Sequence, residues 1–240
     1  MKSLGANELD LTADMIERQM RLRDAQLQTD RENRDKASPY RYRFLTVTRD
    51  RGSLADEIVR ELAGRLGWHV FDKEIVNHIA EHSHVRENLV RELDERSQGL
   101  IQDAILRMLR MPEYPSFGTE EYHAALLKTL AYISTLGNAI LVGRGANFAL
   151  RAEKEGLNVR ITGSLEIRAL RLAEKWKLTP DAARERTRSD DEERRKFIRQ
   201  YFKQDIDDVR FYDLMVNTDR LSVKEVVSSI MPILRRPQLV

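Results

Sequence analysis

Phe44-Leu45-Thr46-Val47-Thr48-Arg49-Asp50-Arg51-Gly52-Ser53 decides the fold class. Its first half, apolar and β-branched, reads as a short buried strand, and the polar run from Arg49 to Ser53 reads as the turn that ends it. A helical pattern begins at once. Leu54, Ile58, Val59, Leu62, Ala63 and Leu66 recur at spacings of three and four, and Gly67 stops them. Asp56 and Glu57 fall in the first turn, where a carboxylate stabilises a helix by a few tenths to about 1 kcal/mol through the helix dipole. Strand, tight turn and helix N-terminus in succession aim backbone N–H groups at one point, which suits a phosphate. Yet the full phosphate-loop signature, Gly-x-x-x-x-Gly-Lys-Ser/Thr, occurs nowhere in the chain. By themselves, Gly52 and Ser53 read as a turn glycine and a helix cap, which need no ligand.

Downstream, His69 to Asp72 reads as a second strand, Lys73 to Glu81 as a helix, and Val85 to Leu109 as further helix broken near Gly99. Pro112, Pro115 and Gly118 mark a loop, and a long helix is expected from Thr119 to Leu136. Ala139-Ile140-Leu141-Val142 is the most strand-like segment and runs into Gly143-Arg144-Gly145. Asn158 to Thr162 and Leu214 to Asn217 complete the strands. Three helical patterns lie between them, Leu165 to Trp176, Pro180 to Arg188 and Asp190 to Phe202, and a last one covers Val223 to Leu234. Strands alternating with helices predict an α/β fold, a parallel sheet flanked by helices with right-handed crossovers. Ligands of such sheets sit beyond the carboxyl ends of the strands, here Arg49 to Ser53, Asp72, Gly143 to Gly145, Gly163 and Asn217.

Upstream, Met15, Ile16, Met20 and Leu27 lie near helical spacing behind Thr12, a candidate N-cap, and the polar stretch from Gln28 to Ser38 reads as a linker closed by Pro39. Residues 1–38 are therefore expected to form a helical arm and linker, and residues 39–240 the main domain. The arm is either a loose extension or the contact of a homodimer.

The 240 residues suffice for one sizeable core, and 41% hydrophobic with 33% charged residues is a globular composition. Forty-one Lys plus Arg against 39 Asp plus Glu leave a net charge of +2, which argues against nonspecific nucleic-acid binding. Cysteine is absent, which excludes disulfides, thiolate metal sites and cysteine nucleophiles. No apolar run is long enough for a signal segment or a membrane span, so a cytoplasmic location without membrane partners is expected.

Four stretches in order carry a family resemblance. Thr46 to Ser53 with its helix to Leu66-Gly67-Trp68 and then Val70-Phe71-Asp72-Lys73-Glu74-Ile75 resembles the cytidylate kinase-like family, whose usual loop is Ser-Arg-Glu-Tyr-Gly-Ser-Gly-Gly-Arg-Glu-Ile. The likeness resumes at Leu141 to Ala146, at Asp191 to Phe197 and at Tyr212 to Thr218. It implies a P-loop-type fold with a helical lid, using ATP and Mg²⁺ to phosphorylate a nucleoside monophosphate, CMP or dCMP above all. On matching positions it implies Arg49, Arg51, Gly52 and Ser53 at the donor phosphates. Asp72 and Arg144 would face the acceptor, with Asp191 and Arg194 on the lid; Arg144, Arg194 and Asp191 would serve the chemistry. Arginines converging from a loop and a lid are what phosphoryl transfer needs, since it depends on positioning and charge neutralisation.

The chain departs from that pattern where it matters. Leu54, Ala55 and Asp56 stand where the family has Gly, Gly and Arg. Side chains at the glycine positions add Cβ atoms near the phosphate path and penalise a positive φ, and Asp56 reverses a charge. Asp56 and Glu57 are thereby candidates to replace the phosphate, and an inactive nucleotide- or partner-binding protein is the alternative reading. Another class of reading comes from His78-Ile79-Ala80-Glu81-His82, a His-x-x-Glu-His pattern that on a helix suits a zinc hydrolase. It fixes only three residues and names no third protein ligand. Trp68, Phe71 and Phe148 read as core, the charge-rich Arg184 to Arg195 segment as a solvated face, and Arg168 and Arg171 as either phosphate-neutralising or surface residues.

Overall fold

The computed structural model describes residues 39–73, 76 and 120–235. The predicted arm, the helical reading from Val85 to Leu109 and the His78/Glu81/His82 pattern lie outside them. Tyr40–Val240 forms a compact unit of its own.

Among the described residues, five strands make one parallel sheet: β1 (Phe44–Arg49), β2 (His69–Phe71), β3 (Ala139–Val142), β4 (Gly156–Thr162) and β5 (Leu214–Asn217), in the order β2-β3-β1-β4-β5. The strand that opened the sequence reading is thus the central one, with Phe44 paired to Ala139 on one side and Gly156 on the other. Six described helices flank the sheet: α1 (Ala55–Leu66), α2 (Glu120–Leu136), α3 (Ala146–Ala149), α4 (Leu165–Trp176), α5 (Pro180–Phe202) and α6 (Val223–Leu234). The predicted architecture, a parallel sheet covered by helices, is the observed one.

Alternation along β1 explains both faces. Leu45 and Val47 join Ile58, Val59 and Leu62 of α1 and Val226, Val227 and Ile230 of α6 in one apolar cluster. Phe44, Thr46 and Thr48 point the other way. There Thr46 Oγ1 donates to Asn158 Oδ1 at 2.8 Å and Thr48 Oγ1 to Asn147 Oδ1 at 3.0 Å, so the buried hydroxyls are satisfied. Trp68, Phe71 and Phe148 are buried, as expected of core aromatics. Among the described residues, no helix is long and apolar enough to cross a membrane.

Three local readings are corrected. The two helices expected from Pro180 to Arg188 and Asp190 to Phe202 are one continuous helix, α5, of 23 residues. Nothing in Arg188-Ser189-Asp190 breaks it, since neither Gly nor Pro intervenes, and one-turn ion pairs stand on either side of the supposed gap, Arg188–Glu185 before it and Arg194–Asp191 and Arg195–Glu192 after it. Ser53 does not cap α1: its hydroxyl donates to Asp50 O at 2.8 Å, and Leu54 holds the cap position without a side-chain bond. The short helix α3 follows the glycine turn after β3, where the sequence reading placed no element.

The strongest cap belongs to α6. Ser222 Oγ accepts from Glu225 N at 3.3 Å while Glu225 Oε2 accepts from Ser222 N at 2.8 Å, a complete capping box. Ser222→Ala is expected to lower stability by about 1 kcal/mol in chemical denaturation, with Ser222→Asp nearly neutral.

Candidate functional site

The loop after β1 is bound on three sides. From the sheet, Arg160 Nη2 donates to Asp50 Oδ1 at 3.0 Å and Thr162 Oγ1 to Asp50 Oδ2 at 2.5 Å. From α4, Arg168 Nη1 donates to Arg51 O at 2.9 Å, and Arg171 Nη1 to Gly52 O at 3.4 Å. From α5, Asp191 Oδ1 accepts from Arg51 N at 3.1 Å. The main chain of the loop is therefore fixed independently of any ligand.

Its turn needs left-handed backbone twice. Gly52 has φ 78°, and a Cβ there would stand 2.7 Å from Arg168 O, so only glycine fits. Leu54 has φ 61°, at a position where the family pattern has glycine. Left-handed backbone costs a non-glycine residue about 1–2 kcal/mol, and the Leu54 side chain offsets part of this by packing on the α1–α6 core. The loop keeps the glycine shape without the glycine.

Arginines crowd around this loop, and most have a carboxylate beside them. Arg49 Nε lies 3.1 Å from Asp56 Oδ1, and Arg51 Nε lies 3.3 Å from Asp190 Oδ2. Asp191, with 5% of its side chain exposed, also accepts from Arg168 Nη1 at 2.7 Å and from Arg194 Nη1 at 3.4 Å. Burial pushes the Arg194 guanidinium below its ordinary pKa, and the positive charge of Arg49 pushes it further, against the opposing pull of Asp191 and Asp190. Like charges gathered so closely create an electrostatic demand for an anion.

Two cavities open on this cluster. One, of about 250 Å³, is walled by the loop from Arg49 to Glu57 together with Arg171, Leu172, Lys175, Trp176 and Arg194. The other, of about 500 Å³, has Arg49, Arg51, Lys73, Arg144 and Arg194 around it, against the carboxylates of Asp190 and Glu193. Arg49, Arg51 and Arg194 border both.

The far wall of the larger cavity is the turn after β3. Gly143, Arg144 and Gly145 have φ 80°, 52° and 68°, three left-handed residues in a row. A Cβ on Gly145 would overlap the Phe202 ring at the end of α5. This turn lays the Arg144 guanidinium over Phe197 at 4.7 Å.

Of the predicted site residues, Arg49, Arg51, Gly52 and Ser53 lie together on the smaller cavity, and Arg49, Arg51, Arg144 and Arg194 on the larger. Asp191 is buried behind them as an anchor. Asp72 is in the lining of neither cavity, while its neighbour Lys73 lines the larger one. Arg168, left open between phosphate-neutralising and surface roles, is a buried tie between loop and α5. Sequence reasoning missed Lys73 and Arg160. The first stands just past a strand end, where the ligand rule for parallel sheets already pointed. The second is 2% exposed, and its signal was a charge inside the otherwise strand-like run Asn158 to Thr162.

Among proteins of known family, the model of the cytidylate kinase-like family matches residues 44–220. The cytidylate kinase of Halobacterium salinarum is 34% identical over 71 residues, which are 30% of this chain and 37% of that protein, so the likeness spans little more than a third of that relative. An uncharacterized protein from Eubacterium ventriosum superposes with a TM-score of 0.60 at 15% identity over 79% of this chain and 96% of its own, a likeness of fold alone. The shikimate kinase of Bacteroides thetaiotaomicron reaches a TM-score of 0.42 at 14% identity over 79% of this chain and 96% of its own.

Proposed function

The chain belongs to the cytidylate kinase-like family, and from that premise we propose that it binds nucleotides and transfers the γ-phosphoryl group of ATP to a nucleoside monophosphate, CMP or dCMP. The observation that carries this reading is the convergence of Arg49, Arg51, Lys73, Arg144 and Arg194 on one cavity at the carboxyl edge of the sheet. Five cations against two carboxylates suit a ligand with several phosphate charges.

In this reading the loop amides around Gly52 and Ser53, with Arg49 and Arg51, hold the donor phosphates. Arg144 and Lys73, which line the larger cavity, hold the acceptor, with Asp72 next to Lys73 in the chain as a further candidate. Arg194 neutralises the phosphoryl group as its bond to the donor oxygen breaks and its bond to the acceptor phosphate oxygen forms. Asp191 is a positioning residue, since its oxygens are taken up by Arg51 N, Arg168 and Arg194. No side-chain base is required. Mg²⁺ bound with the phosphates would add charge neutralisation, and Asp190 and Glu193, the carboxylates that line the cavity, would hold it.

A second reading, nucleotide binding without turnover, is favoured by one contact: Asp56 already holds Arg49 where a donor phosphate would. Calorimetry with ATP, CMP and Mg²⁺, followed by an assay for ADP and CDP, tests both. Binding of both nucleotides with product formation is expected. Absence of binding by any nucleotide at millimolar concentration removes the ligand reading, and binding without product leaves only the second.

A further inference from the structure

Trp176 closes α4 and is half-buried, yet among the described residues it belongs to neither apolar cluster built on the sheet and on α5. What its ring meets instead is charge. The Arg51 guanidinium carbon lies 5.1 Å from the ring centroid and that of Arg186 lies 4.6 Å from it. The ring also walls the smaller cavity, beside the loop from Arg49 to Glu57 and the cations Arg171 and Lys175. A broad aromatic surface outside these two clusters, set among cations in a cavity, matches a ligand that is planar at one end and anionic at the other.

Arg51 is built to give way. Its main chain is tied down through N to Asp191 and through O to Arg168, but its side chain is loosely held. The buried Nε makes no hydrogen bond, and its approach of 3.3 Å to Asp190 Oδ2 is an ion contact without hydrogen-bond alignment. Arg51 lines both cavities, so turning its side chain about its own torsions would shift the guanidinium between them while the backbone stays tied.

Resting on the nucleotide reading above, we propose that Trp176 is the stacking platform for the heterocyclic base of the donor nucleotide, and that Arg51 covers the ring until the base displaces it toward the phosphates. The base and the guanidinium compete for the same ring face. The displaced charge then serves the phosphate end of the same ligand, so recognition of the base and neutralisation of the phosphates are coupled through one residue.

Titration calorimetry of the full chain with MgATP and with Mg²⁺ and inorganic tripolyphosphate, which has the charge without the base, separates the two ends. Trp176→Leu is expected to weaken ATP about tenfold and to leave tripolyphosphate unchanged, while Trp176→Phe, which keeps a ring, retains most of the ATP affinity. Unchanged tripolyphosphate binding also shows that the variant is folded. ATP binding unaffected by Trp176→Leu overturns the proposal, and so does an equal loss for both ligands. If wild-type protein binds tripolyphosphate as tightly as ATP, the platform falls while the phosphate site stands; if it binds neither, the nucleotide reading falls and takes the platform with it.

Discussion

Asp56→Arg is expected to tighten ATP binding about a hundredfold. The carboxylate stands in the first turn of α1, beside the loop that would receive the phosphates, and holds Arg49 at 3.1 Å. A unit charge about 5 Å from another at an effective dielectric of about 20 is worth about 3 kcal/mol. The substitution changes the charge at this position by two units. Against that, the Asp56 side chain is 55% exposed, so solvent screens much of the interaction, and a net gain of about 3 kcal/mol remains, close to a hundredfold in affinity. Asp56→Asn, which removes the charge without reversing it, should give about tenfold on the same reasoning.

Stability should move the opposite way. Losing the Arg49 pair and setting a cation at a helix N-terminus costs about 1 kcal/mol, read as a lower thermal midpoint without ligand. Calorimetry with MgATP on the wild type and both variants decides the matter. An affinity that stays level or drops in Asp56→Arg would show that Asp56 is not what holds the donor phosphates off.

The second large effect concerns folding. Arg168→Met should cost about 3 kcal/mol, because it strips Asp191 of its shortest partner while the carboxylate remains 5% exposed. Removing one member of a buried ion pair typically costs about 3–5 kcal/mol. Here Arg51 N and Arg194 Nη1 still reach the carboxylate and temper the loss. The substitution also leaves Gly163 O and Arg51 O without the guanidinium donors they now have. Methionine preserves the apolar stem, so the cost comes from charge and hydrogen bonds rather than from a cavity. In a domain of this size it corresponds to a thermal midpoint lower by about 6–12 °C. Arg168→Met combined with Asp191→Leu should recover more than half, as both charges leave together. A loss under about 1 kcal/mol in the single variant would mean that the pair does not hold the loop.

These two residues also show how far the sequence could be read. The loop, its helix and the strand ends at Gly143 and Asn217 were legible because apolar periodicity and glycine placement are local signals. So was the likeness that set Arg49, Arg144 and Arg194 together. What could not be read was which arginine serves the cavity and which serves the fold. Arg168 and Arg194 are alike in one dimension; only the packing of α4 against α5 buries the first and sets the second on the cavity rim. Asp191 read as a lid residue facing substrate, but its burial depends on the helix being continuous through Ser189, and charge density hid that continuity. Leu54 is the reverse case. Its departure from glycine was visible in the chain, whereas the left-handed backbone that it adopts was not.

The unbroken α5 has a mechanical meaning. At about 1.5 Å per residue its 23 residues form a rod of about 34 Å. The rod is pinned near its middle, where Asp191 grips Arg51 N, and its far end carries Phe202 against Gly145. One helix thus touches the loop after β1 through Asp191 and the turn that carries Arg144 through Phe202, so a shift of the rod would reach both walls of the larger cavity at once.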